Sequence, residues 1–187
     1  MPLVCFSWGI TDYERRLKFP CDSYVETFDA TYYRAVTIEA SQDIIYRILG
    51  QLRVTLNDFK AYKPSEPIPE SERLIAGQTV LGFFEILSYE QNRHLTVCTR
   101  KGSHQSKVFG DVCVSYVIVP QTEALCRLLV KYLITYPRAI GWILRFVLPW
   151  GDLIMMRRQL LRIKKISERV QKTGGVISSF TSAAAID

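Results

Sequence analysis

Four runs of strand character follow one another between residues 79 and 136 with little between them, and this constrains the chain more than any other feature. The runs are residues 79–89, 94–100, 112–119 and 124–136, separated by turn-like residues such as Gln91-Asn92, Lys101-Gly102-Ser103 and Pro120-Gln121-Thr122. Links that short join antiparallel neighbours, because a parallel crossover needs about a dozen residues or more. In the last run Cys126, Leu128, Val130, Tyr132 and Ile134 are apolar at even positions, whereas Arg127 and Lys131 sit at odd ones. The even set is therefore predicted to face a core and the odd set to face water. Residues 79–89 alternate more weakly, with Glu85 against Phe84 and Ile86, and the two middle runs are too uniform to set a face.

A sheet with one apolar face needs a cover, and the sequence after it supplies one. Pro137 stops the last strand, and residues 138–149 carry Ile140, Trp142, Ile143, Leu144, Phe146, Val147 and Leu148, which is too apolar for a solvated loop and predicts a covered segment. Pro149-Trp150-Gly151-Asp152 is read as a break with Asp152 as the N-cap of a helix reaching about Lys172. Its apolar stripe, Leu153, Met156, Leu160, Ile163 and Val170, is predicted to pack on the sheet. Upstream, residues 32–39 read as a strand feeding a helix through Ile44, Ile45, Ile48, Leu49 and Leu52, with Ser41 at its start. Residues 1–31 read as an irregular arm with a short helix near residues 12–17. Residues 54–73, broken by Pro64, Pro67 and Pro69, read as a long exposed loop able to act as a lid, and residues 173–187 as a mobile tail.

With 187 residues, 48% hydrophobic and 22% charged, the chain has the length and balance of one globular domain, here residues 32–172. Its most apolar region, residues 125–156, is cut by Arg127, Lys131, Arg138, Arg145 and Asp152, so no membrane-spanning helix is predicted. The first ten residues lack a basic residue before their short apolar run, which argues against a secretory signal and for a cytoplasmic protein. Five cysteines (Cys5, Cys21, Cys98, Cys113, Cys126) without a C-x-x-C pair are expected as free, mostly buried thiols. The net charge of +6 is concentrated between residues 151 and 172. There Arg158, Arg162, Lys165, Arg169 and Lys172 recur at helical spacing as a single stripe. Such a stripe is a solvated helix face, or else it suits nucleic acid or an anionic lipid surface. No aromatic residue interleaves it to stack on bases, so no nucleic-acid partner is expected.

Several stretches resemble the START/SRPBCC superfamily. Tyr33-Arg34-Ala35-Val36-Thr37-Ile38-Glu39-Ala40-Ser41 is similar to its opening strand and turn, and Gly77-Gln78 before Phe83-Phe84-Glu85-Ile86 to its second strand. Phe109-Gly110-Asp111 ahead of Val114-Ser115-Tyr116, with Arg127-Leu128 later, resembles the strand pair before its final helix, and residues 151–164 resemble that helix. Trp8-Gly9 and Phe19-Pro20-Cys21-Asp22 resemble the arm of a bacterial branch of these polyketide cyclase/dehydrase-like proteins. The resemblance, over about residues 32 to 170, implies an α+β helix-grip fold, a bent antiparallel β-sheet wrapped around a long C-terminal α-helix. It also implies a family whose members include lipid carriers, hormone receptors, aromatase/cyclases and ring-hydroxylase subunits, among which a shared fold does not choose.

Such a fold predicts an internal cavity for a small hydrophobic or amphipathic ligand, a lipid, polyketide or aromatic metabolite. Its candidate walls are Phe84, Ile86, Val114, Tyr116, Leu128, Val130, Tyr132, Met156, Leu160 and Ile163, which a simple packed core would also use. Trp142, Phe146 and Trp150 are candidates for its entrance, together with the 54–73 loop. An aromatase/cyclase-type enzyme would need a donor and a base inside, for which Tyr116, Arg100, Asp111 and Asp58 are available. Asp111 can instead cap a turn beside Gly110, and Arg100 can pair at the surface. A third reading is lipid transfer at a membrane through the three aromatic residues beside the basic helix. His94 and His104 are the two histidines, with no ligand cluster around them, so neither metal nor cofactor is expected. The sequence carries no hydrolase elbow, P-loop or dinucleotide fingerprint.

Overall fold

The computed structural model describes residues 4–51, 76–80, 84–100, 102–138 and 140–183. The proposed lid, residues 54–73 with Asp58, lies outside them. A two-residue strand β1 (Ser7–Trp8), a short helix α1 (Asp12–Arg15) and a 3-10 turn (Pro20–Ser23) make up the arm. Strand β2 (Ala30–Ile38) then runs into helix α2 (Gln42–Gln51). Strands β3 (Thr79–Val80), β4 (Phe84–Glu90), β5 (His94–Thr99), β6 (Asp111–Thr122) and β7 (Leu125–Thr135) follow, with helix α3 (His104–Phe109) between β5 and β6. Helix α4 (Gly141–Ala183) closes the fold.

The strands form one sheet in the order β1-β2-β7-β6-β5-β4-β3. All pairs are antiparallel except β1 with β2. The expected meander is present, and β2 adds to its free edge by pairing with β7 over nine residues, from Ala30 opposite Ile134 to Ile38 opposite Cys126. Register sets the faces that the middle strands left open in the sequence. Val97 lies opposite both Ile86 and Val114, and Leu95 opposite Tyr116, so these residues share the inner face with Leu128, Val130 and Tyr132. Helix α4 crosses that face and contributes Met156, Leu160 and Ile163 to a single buried cluster with α2 and the sheet.

Four expectations need correction. The outer face of the sheet is not wet, because the arm covers it. Phe19, Cys21, Ala35, Cys113, Leu129 and Leu133 form a second buried cluster there, and Arg127 and Lys131 are drawn into ion pairs with Glu14 and Asp22 of the arm at 2.7 and 2.6 Å. Asp152 is no N-cap: α4 starts eleven residues earlier and runs through Pro149. Proline inside a helix removes one hydrogen bond and costs about 3 kcal/mol, a penalty offset here by the packing of Leu144 and Leu148 before it and Met156 and Leu160 after it. The expected cover over residues 138–149 is absent among the described residues, since Trp142, Phe146 and Val147 stand 70%, 75% and 61% exposed on the helix. Finally, Cys98 and Cys113 form a disulfide, because the β5–β6 register sets them directly opposite each other. Cys5, Cys21 and Cys126 are free and buried, as expected.

The arm attaches through details written in its own sequence. Thr11 caps α1 while the Glu14 carboxylate accepts from the Thr11 amide at 2.8 Å and also from Arg127. Asp22 accepts from the Phe19 amide at 3.0 Å and from Lys131 Nζ. The Cys21 amide donates to Ser115 Oγ on β6 at 2.8 Å. Gly9 has φ +74, and a Cβ there would lie 2.2 Å from the Ala35 carbonyl oxygen, so glycine lets the arm reach the sheet. Gly110 plays the same part beside β7, with φ +89 and the Thr135 carbonyl oxygen 2.1 Å from an added Cβ.

Candidate functional site

The inner face holds polar groups that an ordinary core would not need. Arg34 stands on β2 at the same parity as Tyr32, Val36 and Ile38, and is fully buried. Its guanidinium donates to Asp152 Oδ2 at 2.7 Å, to the Cys5 carbonyl at 2.7 Å and to the Tyr33 carbonyl at 2.9 Å, while its Nε has no hydrogen-bond partner. Asp152 reaches it from α4, where it heads the stripe Asp152, Met156, Leu160, Ile163 at spacings of four, four and three. One buried cation and one buried carboxylate thus join the sheet to the helix that grips it. Burial pushes the Asp152 carboxyl up to about 6, against the opposing pull of Arg34.

Tyrosines surround this pair. Tyr116 on β6 has Tyr132 on β7 and Gln159 on α4 beside its hydroxyl, and burial pushes that hydroxyl up to about 12. Tyr132 is raised further, by burial and then by the charges of its neighbours Tyr116 and Asp152. Tyr32 and Tyr136 share a hydrogen bond of 2.6 Å between their hydroxyls, and burial raises both. These phenols remain protonated across the physiological range and can donate to a guest. Between sheet and helix the chain therefore offers two charges and several hydroxyls in an otherwise apolar environment.

The ten predicted wall residues come together. Ile86, Val114, Leu128, Val130, Tyr132, Met156, Leu160 and Ile163 belong to one buried cluster, and Phe84 and Tyr116 pack against it half-buried. Of the catalytic candidates among the described residues, Tyr116 alone shares this interior. Arg100 and Asp111 lie across the sheet, lining an outer cleft of about 360 Å³ with Glu85, Leu87, Cys98 and Tyr24. Asp111 is exposed and accepts from Ser106 of α3. Tyr116 thus stands on the opposite face of the sheet from Arg100 and Asp111. Among the entrance candidates, Trp142, Phe146 and Trp150 stand on the solvent side of the first turns of α4. Among the described residues, no group of three or more histidine, cysteine or acidic side chains is placed to hold a metal ion.

Sequence reasoning missed Arg34, Gln159 and the true role of Asp152. A signal existed: Arg34 is the charged residue at the inward parity of β2, and Asp152 lies on the apolar stripe of the helix, so the two intruders carry opposite charge. The apparent cap at Pro149-Trp150-Gly151-Asp152 concealed it.

Solved structures share this architecture. Protein MLL2253 from Mesorhizobium loti matches at TM-score 0.51 and 14% identity, covering 74% of this chain and 97% of its own. CV1439 from Chromobacterium violaceum matches at TM-score 0.51 and 13% identity, over 74% and 96%. A truncated norcoclaurine synthase from Thalictrum flavum matches at TM-score 0.50 and 14% identity, over 75% and 92%. Identities this low speak for the fold alone: like those structures, the chain has an α+β helix-grip fold, an antiparallel sheet gripping a long C-terminal helix. No protein-family model and no curated protein matches it.

Proposed function

We propose that the protein binds a small hydrophobic or amphipathic molecule between the inner face of the sheet and α4, with its polar end at Arg34, Asp152 and Tyr116. The observation that carries this reading is the buried Arg34–Asp152 pair, whose Nε is unpartnered inside an apolar cluster. A fold that needed packing alone would gain by replacing such a pair with apolar side chains, since desolvating two ions costs several kcal/mol. A guest bearing a carbonyl, carboxylate or hydroxyl accepts from Nε and from the tyrosines, while its apolar part lies against Ile86, Leu128 and Leu160. Native mass spectrometry of protein purified from cells, with solvent extraction of any adduct, tests it. A non-peptide mass is expected on the wild type, lost in the Arg34→Met/Asp152→Leu double variant while the fold survives. Ligand-free protein from every source, or an adduct indifferent to the double variant, would overturn the assignment.

A second reading, an enzyme of cyclase type, gains support from Asp152. A carboxyl at about 6 exchanges protons near neutrality, and Tyr116 can polarise a carbonyl within the same interior. It predicts that the protein speeds exchange of the α-protons of a β-ketone with deuterated water, seen by proton NMR, and that Tyr116→Phe slows it at least tenfold. Equal exchange with and without protein leaves the carrier reading in place.

A further inference from the structure

The continuity of α4 through Pro149 aligns two surfaces that the sequence had placed on separate segments. On its solvent side, Trp142, Phe146, Trp150 and Ile154 follow at steps of four, with Ile143 and Val147 beside them, and all are 44–75% exposed. The same side continues without interruption into Arg157, Arg158, Arg162, Lys165, Arg169 and Lys172, each exposed. Between residues 138 and 172 the chain has two acidic residues: Asp152 points inward to Arg34, and Glu168 is neutralised by Lys164 at 2.9 Å and accepts from the Glu39 amide. The outer side of one continuous helix is therefore aromatic and aliphatic for about 20 Å and cationic for about 20 Å more along the chain, at 1.5 Å rise per residue.

We infer that this side of α4 is a docking surface for an anionic lipid bilayer, with Trp142, Phe146 and Trp150 seated at the level of the headgroups and the basic stripe on their phosphates. Charge decides the occupant. A second copy of the chain would bring its own basic stripe and a net charge of +6 against this one, whereas an anionic bilayer complements both halves of the surface. Tryptophan favours the interface because its ring is apolar and its N–H is polar, and each basic residue near an anionic membrane adds attraction to the lipid phosphates. The surface lies outside the interior cluster, so this inference stands apart from the proposed ligand, although a carrier of apolar guests would benefit from it.

Co-sedimentation of the full chain with vesicles of phosphatidylcholine, with and without one quarter phosphatidylglycerol, tests the inference. The wild type is expected to pellet with the anionic vesicles and not with the neutral ones. Raising salt from 50 to 500 mM should weaken binding at least tenfold. Trp142→Ser/Phe146→Ser/Trp150→Ser and, separately, Arg158→Glu/Lys165→Glu/Arg169→Glu should each lose at least tenfold with unchanged circular dichroism, since all six positions are exposed. Absence of binding, equal binding to neutral vesicles, or full binding by the aromatic variant would overturn it. So would sedimentation equilibrium showing a dimer that the aromatic variant dissolves, which would assign the patch to a second copy. Loss of vesicle binding with the retained mass intact, or the reverse, separates this inference from the proposed function.

Discussion

The two faces of the sheet are both covered, by opposite means. On the inner face, α4 brings apolar bulk, and a single buried ion pair sits within it. On the outer face, an arm of about thirty residues has little bulk to offer and fastens itself at its polar points, with Arg127 on Glu14 and Lys131 on Asp22. Glu14 and Asp22 each do two things at once, closing a local turn and gripping a strand. Burial of Lys131 would lower its ammonium, but the Asp22 hydrogen bond and the neighbouring Tyr33 and Asp22 charges carry it above its ordinary value. The difference teaches that charge on a strand does not by itself mark a wet face. It also shows why the buried pair on the inner side is the anomaly: the outer pairs attach a cover, whereas the inner cover would attach without one.

Breaking each pair sharpens the contrast. Arg34→Met or Asp152→Leu alone leaves a buried ion without its partner and should cost about 3–5 kcal/mol in urea unfolding, while the double variant should cost less than either. A double variant that costs as much as either single one would show that the pair is a structural clamp rather than a site held at a cost. Gly9→Ala forces a Cβ onto the Ala35 carbonyl at positive φ and should cost about 1–3 kcal/mol, with faster proteolysis of the arm than of the body.

Acid should separate the faces by sign. The Arg127 hydrogen bond holds the Glu14 carboxyl below its usual 4.5, so its contribution is complete above that value and fades as pH falls through the folded value. Asp152 is raised from 3.8 to about 6, so between those values the folded chain keeps a proton that the unfolded chain has released. Its contribution therefore falls as pH rises across that window and is flat above it. Hydrogen exchange at pH 4 and 7 should show the arm less protected in acid while the β2–α4 contact gains. The smallest effect is expected for Arg100→Ala, within about 0.5 kcal/mol of wild type and with the retained mass unchanged, because Arg100 lines the outer cleft. A lost adduct there would move the binding site to the other side of the sheet.

Much of the scaffold was legible. The alternation of Cys126, Leu128, Val130, Tyr132 and Ile134 placed β7, and the helical spacing of Met156, Leu160 and Ile163 placed the gripping face of α4, because both patterns follow from backbone periodicity. Where local chemistry and tertiary packing competed, local chemistry misled. Pro149 with Gly151 and Asp152 has the composition of a helix start, yet contacts on both sides of Pro149 hold the helix through it. The disulfide was invisible for a related reason: fifteen residues separate Cys98 from Cys113, and strand register alone brings them together.

The succession of strand, helix, meander and long closing helix, the inward parity of β7 and the basic stripe of α4 were settled by the amino-acid sequence, since each depends on neighbours within a few residues. The tertiary structure decided that Arg34 meets Asp152, that Tyr116 stands apart from Arg100 and Asp111, and that the arm shields the outer charges. Those outcomes join residues as many as 118 positions apart, through sheet register and the crossing of α4. No local pattern encodes such a distance, because the free energy that selects it comes from burying both faces of the sheet at once.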